Sequence, residues 1–447
     1  MAGGTFDPMV KKVRPGTYIN FFSENVENVG AAERGVTVIP LINHNYGPAG
    51  EFIKLTNASP DAEYAKLGYS VYDSSLLLLR EAFKCASTVY AYIINGSTAK
   101  AAATGGGIKV TAKYAGTRGN SFKYSVVANA VDGYDICVYL DTTLISEYKG
   151  ISTPAKLAEI NDDYVVFSTV DNVTAFSAVA STSLTGGADV SATSQKYTDF
   201  LDGLESIYFN SFAFPVSGTD AASLKTAMKT KVIYLAENCG KRIHAAVPDY
   251  DSDCQYIINV TNGVKLEDVD VDKVKACAWV AALYAGSSYT ESNTYKTYEG
   301  AIEVLGKKTN EQAIAALNNG EFFFTFSEQG EVVVESDINS LVTITSGIDS
   351  SYCKNRVQRV FDTVSSLLQS NFPPNKYDNN ETGWDIMEGI GAGLLKSLEK
   401  EGAIKNVDTS KDFLVDRTAS ARDYTYFDVY IQPVDSAEKL YFKVKTN

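Results

Sequence analysis

The chain has 447 residues, a formal net charge of −14, 45 % hydrophobic residues and 21 % charged residues. This length exceeds what one core usually holds, so we expect two or three domains. The acidic balance excludes nucleic acid as a partner, since a basic stripe supplies most nucleic-acid affinity. No run of about 18 apolar residues could enter a membrane, and the N-terminus lacks a signal-peptide core. The sequence therefore predicts a chain that is made and used in the cytoplasm.

The first predicted element is a strand near the N-terminus. Pro15–Gly16 breaks the chain before residues 17–22 (TYINFF), whose aromatic and β-branched residues favour a strand. Chain ends fray unless something ties them down. We therefore predict that residues 1–26 form an arm that pairs with a sheet in another subunit. Its predicted contacts are Tyr18, Ile19, Phe21 and Phe22.

The next two predicted domains are interleaved. Residues 27–97 are predicted as the first part of an α/β core domain, with a helix at 73–86 and a buried strand at 87–94. Two stretches of small residues, 95–107 and 181–194, then bracket a β-rich insertion domain at 98–190. Its predicted elements are strands at 108–114, 122–127 and 134–140, a turn at Asp132–Gly133 and a short helix at 155–160 that begins after Thr153–Pro154.

The core domain resumes at residues 191–345. Its predicted elements are strands at 206–214 and 242–247, helices at 221–238 and 266–284, and a hairpin of 321–326 with 332–335. A C-terminal domain follows at 346–437. Two amphipathic helices, 357–368 and 384–398, precede a strand predicted at 423–432.

The last segment, residues 438–447 (EKLYFKVKTN), alternates with a period of two. Apolar residues occupy one face and basic residues the other, as in a half-buried strand. We predict a C-terminal arm that pairs with another subunit; the competing interpretation is an edge strand that completes its own domain. The arm's predicted contacts are Leu440, Tyr441, Phe442, Lys443, Val444 and Lys445.

Residues able to carry chemistry are scattered. Six cysteines occur with no CxxC spacing, and only two histidines are present, so we predict reduced thiols, no metal site and no cofactor. Cys239 and His244 are close in sequence, but they are predicted in different elements. The alternating acids Asp249, Asp251 and Asp253 lack the glycine and glutamate of a calcium loop, and we interpret them as a surface loop.

Three glycine-rich stretches are candidates for phosphate-binding motifs, and none is favoured as one. Residues 389–393 (GIGAG) lie inside a helical pattern, so we expect close packing there, not a dinucleotide site. Residues 116–120 (GTRGN) could form an anion-binding turn with Arg118, but a plain turn is the favoured interpretation. Gly105–Gly107 has no following Lys–Ser/Thr and is not a P-loop.

Three motifs in this order resemble contractile tail sheath proteins, the family of myophage sheaths, R-type bacteriocins and prophage-derived particles. They are residues 14–19 (RPGTYI), residues 114–120 (YAGTRGN) and residues 184–189 (LTGGAD), followed by a C-terminal α/β domain and a β tail. The resemblance covers essentially the whole chain. It is greatest to sheaths of Gram-positive phages and prophage elements.

The resemblance implies a structural, non-enzymatic subunit with an α/β (α+β) multidomain fold. It implies hexameric rings stacked around a tail tube protein, with baseplate and tail terminator proteins at the ends. Terminal arms would add strands to neighbouring C-terminal domains, and contraction would drive the tube through the target envelope. Assembly would occur in the cytoplasm of the bacterial host. The assembled sheath would be part of the tail of a virion or bacteriocin particle. The alternative is a cytoplasmic α/β enzyme with no recognisable site.

Overall fold

The computed structural model describes residues 34–95 and 99–446 in full, and residues 2–4 and 16–18 as backbone. Strand β1 (Ala2–Gly4) pairs in parallel with β2 (Gly16–Tyr18). The next segment contains β3 (Val36–Ile42), β4 (Phe52–Thr56), α1 (Tyr64–Leu67), α2 (Leu77–Ala82) and β5 (Thr88–Ile94). A 3₁₀ turn, Ser74–Leu76, leads into α2.

Residues 99–190 are mostly strand. The elements are β6 (Ala102–Gly105), β7 (Ile108–Ala112), β8 (Phe122–Ala128), β9 (Tyr134–Leu140), β10 (Thr143–Ile151), α3 (Pro154–Ala158), β11 (Val165–Thr169) and β12 (Val179–Ser183). They form one sheet in the order β10-β9-β8-β12 and another in the order β11-β7-β6. The two sheets share a core of apolar residues that includes Phe122, Ile136 and Phe167, so the segment is a β-sandwich.

The chain then returns to α/β structure. The elements are α4 (Ser194–Gly203), β13 (Ser211–Ala213), α5 (Ala221–Glu237), β14 (His244–Pro248), β15 (Ile257–Val260), β16 (Gly263–Leu266), β17 (Asp270–Val271), α6 (Lys273–Gly286), β18 (Ala301–Leu305), α7 (Asn310–Asn318), β19 (Glu321–Phe322), β20 (Phe324–Phe326) and β21 (Val332–Val334).

The central sheet has seven strands in the order β19-β15-β14-β13-β3-β5-β4. Every neighbouring pair is parallel except β4 with β5. One face packs against α2 and the almost wholly buried α6, around Trp279. The other face packs against α4 and α5, around Met228. Helices on both faces explain why these strands are continuous apolar runs and do not alternate.

The C-terminal part is built on two long helices and a hairpin. These are α8 (Asn355–Asn371), α9 (Glu381–Lys400), β22 (Phe413–Val415) and β23 (Phe427–Val429). Apolar residues of both helices, among them Val360 and Leu395, pack with Phe413 in one core. Gly391 lies where a Cβ atom would come within 2.1 Å of the Phe413 ring. The expectation of close packing at residues 389–393 is therefore confirmed at Gly391, whereas a Cβ atom on Gly389 or Gly393 would meet nothing within 4 Å.

The mixed fold class and most predicted elements are confirmed, with four corrections. The strand predicted at 206–214 is only β13, because a 3₁₀ turn at Leu204–Ser206 and irregular chain precede it. The helix predicted at 266–284 begins only at Lys273, because β16 and β17 precede it and the Asp272 side chain caps it by accepting from the Val274 and Lys275 amides. The helix predicted at 73–86 is a 3₁₀ turn followed by the six residues of α2. The strand predicted at 423–432 is only β23, because the Lys405 amide donates to the Gln432 carbonyl and the chain there pairs with residues 403–405 instead.

Candidate inter-subunit surface

The C-terminal segment is fixed to the body of the protein at Glu438. Its carboxylate accepts hydrogen bonds from Ser292 Oγ at 3.0 Å and Thr294 Oγ1 at 2.8 Å, and it pairs with the Lys354 ammonium. Two residues earlier, Ser436 Oγ accepts from Arg356 Nη1 at 2.8 Å. A charge with three partners in a half-buried position holds the backbone in place. We call this group of contacts the Glu438 latch.

Beyond the latch the chain leaves the protein surface. Leu440 is 64 % exposed, Phe442 83 % and Val444 85 %. Residues 438–446 form no strand in the described chain, so the strand predicted there is absent from the single subunit. The interpretation as an edge strand that buries these side chains in its own domain is wrong. Three large exposed apolar side chains on one short segment indicate a surface that a partner covers.

The hairpin β22–β23 has one covered edge and one open edge. The Asp416 amide donates to the Tyr426 carbonyl and the Tyr430 amide to the Asp412 carbonyl, each at 2.9 Å. In an antiparallel ladder these are hydrogen-bonded pairs, so the amides and carbonyls of the intervening pairs point outward. On β22 the outward Val415 amide donates to Glu388 of α9 at 2.8 Å.

The outward groups of Phe427 and Val429 on β23 have a different environment. The hairpin is a two-stranded sheet, so among the described residues no further strand pairs with this side of β23. An unpaired edge is a template for a strand from another chain. We call the outward side of Phe427–Val429 the open edge.

Tyrosines line the exposed face of the chain around the open edge. Tyr426 and Tyr430 are 57 % and 64 % exposed, whereas the alternate residues Phe427 and Val429 pack toward the core. Tyr424 stacks edge-on to Tyr426, with ring centroids 5.8 Å apart. Tyrosine has a large apolar ring and a hydroxyl, which suits a surface that is wet before association and covered afterwards.

Three carboxylates of α9, beside the covered β22 edge of the hairpin, surround one arginine. Glu381, Asp385 and Glu388 all bind the single Arg417 guanidinium, at 2.7 Å for Asp385 and 3.0 Å for Glu388. The hydrogen bond to Asp385 and the other two carboxylates raise the pKa of Arg417. Three carboxylates on one guanidinium leave this surface negative, while the arm has three lysines, at 439, 443 and 445.

The residues considered for catalysis have structural roles. His244 Nε2 lies 3.2 Å from Asp362 and its ring stacks on Tyr284, whereas the exposed Cys239 interacts with Tyr234. Cys239 and His244 therefore do not form a pair. Burial lowers the pKa of His244; burial alone would raise the pKa of Asp362, but His244 and Arg242 lower it to about 2.

The acidic loop and the GTRGN turn are also explained by contacts within the chain. Asp253 accepts from the amides of Val342 and Thr343 at 2.8 and 2.9 Å, and Asp249 pairs with Lys273. Among the described residues no cluster of His, Cys, Asp or Glu could hold a metal ion, and no helix is long and apolar enough to cross a membrane.

The GTRGN turn closes the neck of the β-sandwich. Asp189 accepts from the Thr117 amide at 2.7 Å and from its hydroxyl at 2.6 Å, and Asn120 exchanges two hydrogen bonds with Gly187. Arg118 donates to the Gly68 carbonyl at 3.0 Å and so ties the sandwich to the central domain. The second and third of the three sequence motifs, residues 114–120 and 184–189, meet here, and the carboxylate of Asp189 occupies the place that an anion would take.

The predicted N-terminal contacts are less fully described. Tyr18 ends β2, while Ile19, Phe21 and Phe22 lie outside the described residues. Sequence reasoning missed the Glu438 latch, because its partners are up to 146 residues away. An acid at the base of an otherwise basic arm was the available signal.

Four family models match the chain in succession. They are the Tail sheath protein Gp18 domain III N-terminal region at residues 34–93, the phage tail sheath protein beta-sandwich domain at 95–189, the phage tail sheath protein central domain at 191–340 and the phage tail sheath C-terminal domain at 348–447. Phage-like element PBSX protein XkdK of Bacillus subtilis is 33 % identical over the full length of both chains. The tail sheath protein of Clostridium phage phiCD119 is 26 % identical over 41 % of this chain and 52 % of its own.

Solved structures give the same picture. The sheath tail protein from Desulfitobacterium hafniense is 35 % identical with a TM-score of 0.82, covering 96 % of this chain and 99 % of its own. The sheath tail protein from Listeria innocua is 34 % identical with a TM-score of 0.79, covering 93 % and 96 %. The contracted helical sheath of the anti-feeding prophage is 14 % identical with a TM-score of 0.57, covering 98 % of this chain and 100 % of its own, which shows a shared fold.

Proposed function

The chain belongs to the phage tail sheath protein family, and we propose on that basis that it polymerises as stacked hexameric rings around a tail tube. Contraction of this sheath would drive the tube through the target cell envelope. Its partners would be further copies of itself, the tail tube protein, and baseplate and tail terminator proteins. Assembly would take place in the cytoplasm of the bacterial host.

The observation that carries the proposal is the pair of complementary features on one subunit. The exposed arm presents Leu440, Phe442 and Val444, and the hairpin presents an open edge at Phe427 and Val429. The arm leaves its apolar side chains exposed on its own subunit. By adding to the open edge of a neighbouring subunit it would gain both backbone hydrogen bonds and apolar contacts. Backbone bonds of this kind hold subunits together while side-chain contacts between them change.

Charge favours the same pairing. The lysines of the arm would approach a domain whose helix α9, on the β22 side of the hairpin, has the carboxylates of Glu381, Asp385 and Glu388. Opposite charges around an interface speed association and fix its orientation. The relatives are named as sheath proteins, which supports a structural, non-enzymatic role.

The division of the chain follows from the same proposal. We assign residues 1–26 to an N-terminal arm that includes Tyr18, Ile19, Phe21 and Phe22, and residues 438–447 to the C-terminal arm. Residues 27–97 and 191–345 would form the core domain, and 346–437 the domain that receives arms. The insertion domain at 98–190 would lie at the outside of the sheath.

Negative-stain electron microscopy of the purified, concentrated chain tests the proposal. We expect tubes or stacked rings with six subunits per ring. Monodisperse globular particles at every concentration, in a chain that melts cooperatively, would contradict it and would favour an ordinary soluble protein.

A further inference from the structure

One loop is hydrogen-bonded both to Arg34, the first residue described after Tyr18, and to Glu438, near the end of the described residues. We define the anchoring loop as residues 287–294, which follow α6. At its start, Arg34 donates from Nε to the Ser287 carbonyl at 3.1 Å and from Nη2 to the Tyr284 carbonyl at 2.9 Å. These carbonyls end a helix and have no partner within it, so a guanidinium is well suited to them. At the other end, Ser292 and Thr294 donate to Glu438.

The middle of the anchoring loop is fixed by a buried arginine. Arg359 of α8 donates from Nε to the Ser288 carbonyl at 3.2 Å and from Nη2 to the Glu291 carbonyl at 2.7 Å. The same guanidinium pairs with Asp337 at 2.8 Å, and both side chains are almost completely buried. The Arg359 hydrogen bonds therefore hold the loop from the side opposite to solvent.

Asp337 extends this network to the far end of the loop. Its Oδ2 accepts from the Asn293 amide at 2.9 Å, and its own amide donates to Thr294 Oγ1 at 3.0 Å. Thr294 Oγ1 is thus shared between Asp337 and Glu438. A displacement of Glu438 changes a hydrogen bond inside the same network that holds Arg359.

Such a network has little freedom to adjust. Buried charged groups must keep their partners, because an unpaired charge away from water is costly. The loop therefore moves as a unit or loses several buried hydrogen bonds at once. Arg34 is where the chain continues toward the N-terminal arm, and Glu438 is where the C-terminal arm leaves.

We propose that the anchoring loop couples the roots of the two arms, so that displacement of one root loosens the hold on the other. This inference rests on the proposed function for its purpose: in the assembled sheath, tension on one arm would pass through residues 287–294 to the other. The coupling itself is a property of the single subunit. Spatial continuity supports it, and a measured energetic response is the required test.

Hydrogen exchange followed by mass spectrometry on the unpolymerised subunit supplies that test. Glu438→Gln removes the charge of the latch with almost no change in size. We expect faster exchange at residues 434–440, in the anchoring loop, and at the amides of Gly35 and Val36, which donate to Asn210 beside Arg34. The expected acceleration at these distant amides is about threefold or more, a local loosening well below global unfolding.

The matched control and the reverse variant make the test specific. Lys443→Gln changes a charge on the same arm beyond the latch, and it should leave exchange at Gly35 and Val36 unchanged. Coupling between two sites is reciprocal, so Arg34→Gln should accelerate exchange at residues 434–440. Ser292→Ala provides a milder perturbation if either variant fails to fold.

An acceleration confined to residues 434–446 in Glu438→Gln and Ser292→Ala would overturn the coupling. Equal acceleration at Gly35 and Val36 in Lys443→Gln would overturn it too. The exchange experiment uses the unpolymerised subunit, so its result does not depend on whether electron microscopy shows tubes. Absence of tubes would count against the proposed function, and absence of distant exchange changes against the coupling alone.

Discussion

Removal of residues 439–447 tests whether the C-terminal arm stabilises its own subunit or only the contact between subunits. A chain that ends at Glu438 keeps the latch with Ser292, Thr294 and Lys354 and loses only the exposed arm. Full burial of three such apolar side chains would be worth about 1.5–3 kcal/mol each. Since Leu440, Phe442 and Val444 are 64–85 % exposed, their contribution to the subunit's own stability is at most about 1–2 kcal/mol together.

Urea denaturation and negative-stain images of the same preparation provide the assay. We expect an unfolding free energy within about 2 kcal/mol of the full chain's, together with loss of tubes. A full-length control with Leu440, Phe442 and Val444 all changed to Ser keeps the backbone of the arm and should also fail to form tubes. A loss of about 5 kcal/mol or more would place the arm in its own core and refute the reasoning. Normal tubes from the truncated chain would show that the arm is dispensable.

Three further predictions concern the subunit alone. Gly391→Ala should destabilise it by about 1–3 kcal/mol, because the added methyl group meets a phenyl ring at 2.1 Å, whereas Gly393→Ala faces open space and should be neutral or stabilising; chemical denaturation compares the two. Arg359→Met leaves the buried carboxylate of Asp337 without its ionic partner and should cost about 3–5 kcal/mol, while Arg417→Met at the surface should cost clearly less; similar losses in both would contradict the assignment of a buried network. Burial lowers the pKa of His244, so below about pH 6.5 the unfolded chain binds a proton there that the folded chain does not. Stability should therefore fall as pH drops from 7 to 5, and His244 should contribute at most about 1.4 kcal/mol per pH unit, in addition to any contribution from the buried His44; a His244→Gln variant with an unchanged slope would refute this.

Local pattern was enough to predict the elements whose apolar faces are regular. Helices α8 and α9 followed from apolar residues at helical spacing, and the hairpin turn at Asp132–Gly133 from its residue types, with Gly133 at φ 70°. The predicted start of α6 is too early because Leu266 and Val269 stand at helical spacing before its true start at Lys273. The N-cap Asp272 was the overlooked signal.

Contacts between distant parts of the chain could not be predicted from pattern. Nothing local indicates that Glu438 binds Ser292, or that Arg359 pairs with Asp337. The C-terminal arm also shows that a local pattern does not identify a pairing partner. Its alternation predicts a segment able to form a strand, but a strand requires an edge, and among the described residues of one subunit residues 439–446 pair with none.

A helical cryo-electron microscopy reconstruction of tubes assembled from the full-length chain tests the central claim most directly. We expect continuous density for residues 439–446 running as an added strand along Phe427–Val429 of a different subunit, with Leu440, Phe442 and Val444 covered. Density that folds the arm back onto its own subunit, or an open edge left unpaired in the assembled tube, would contradict the account.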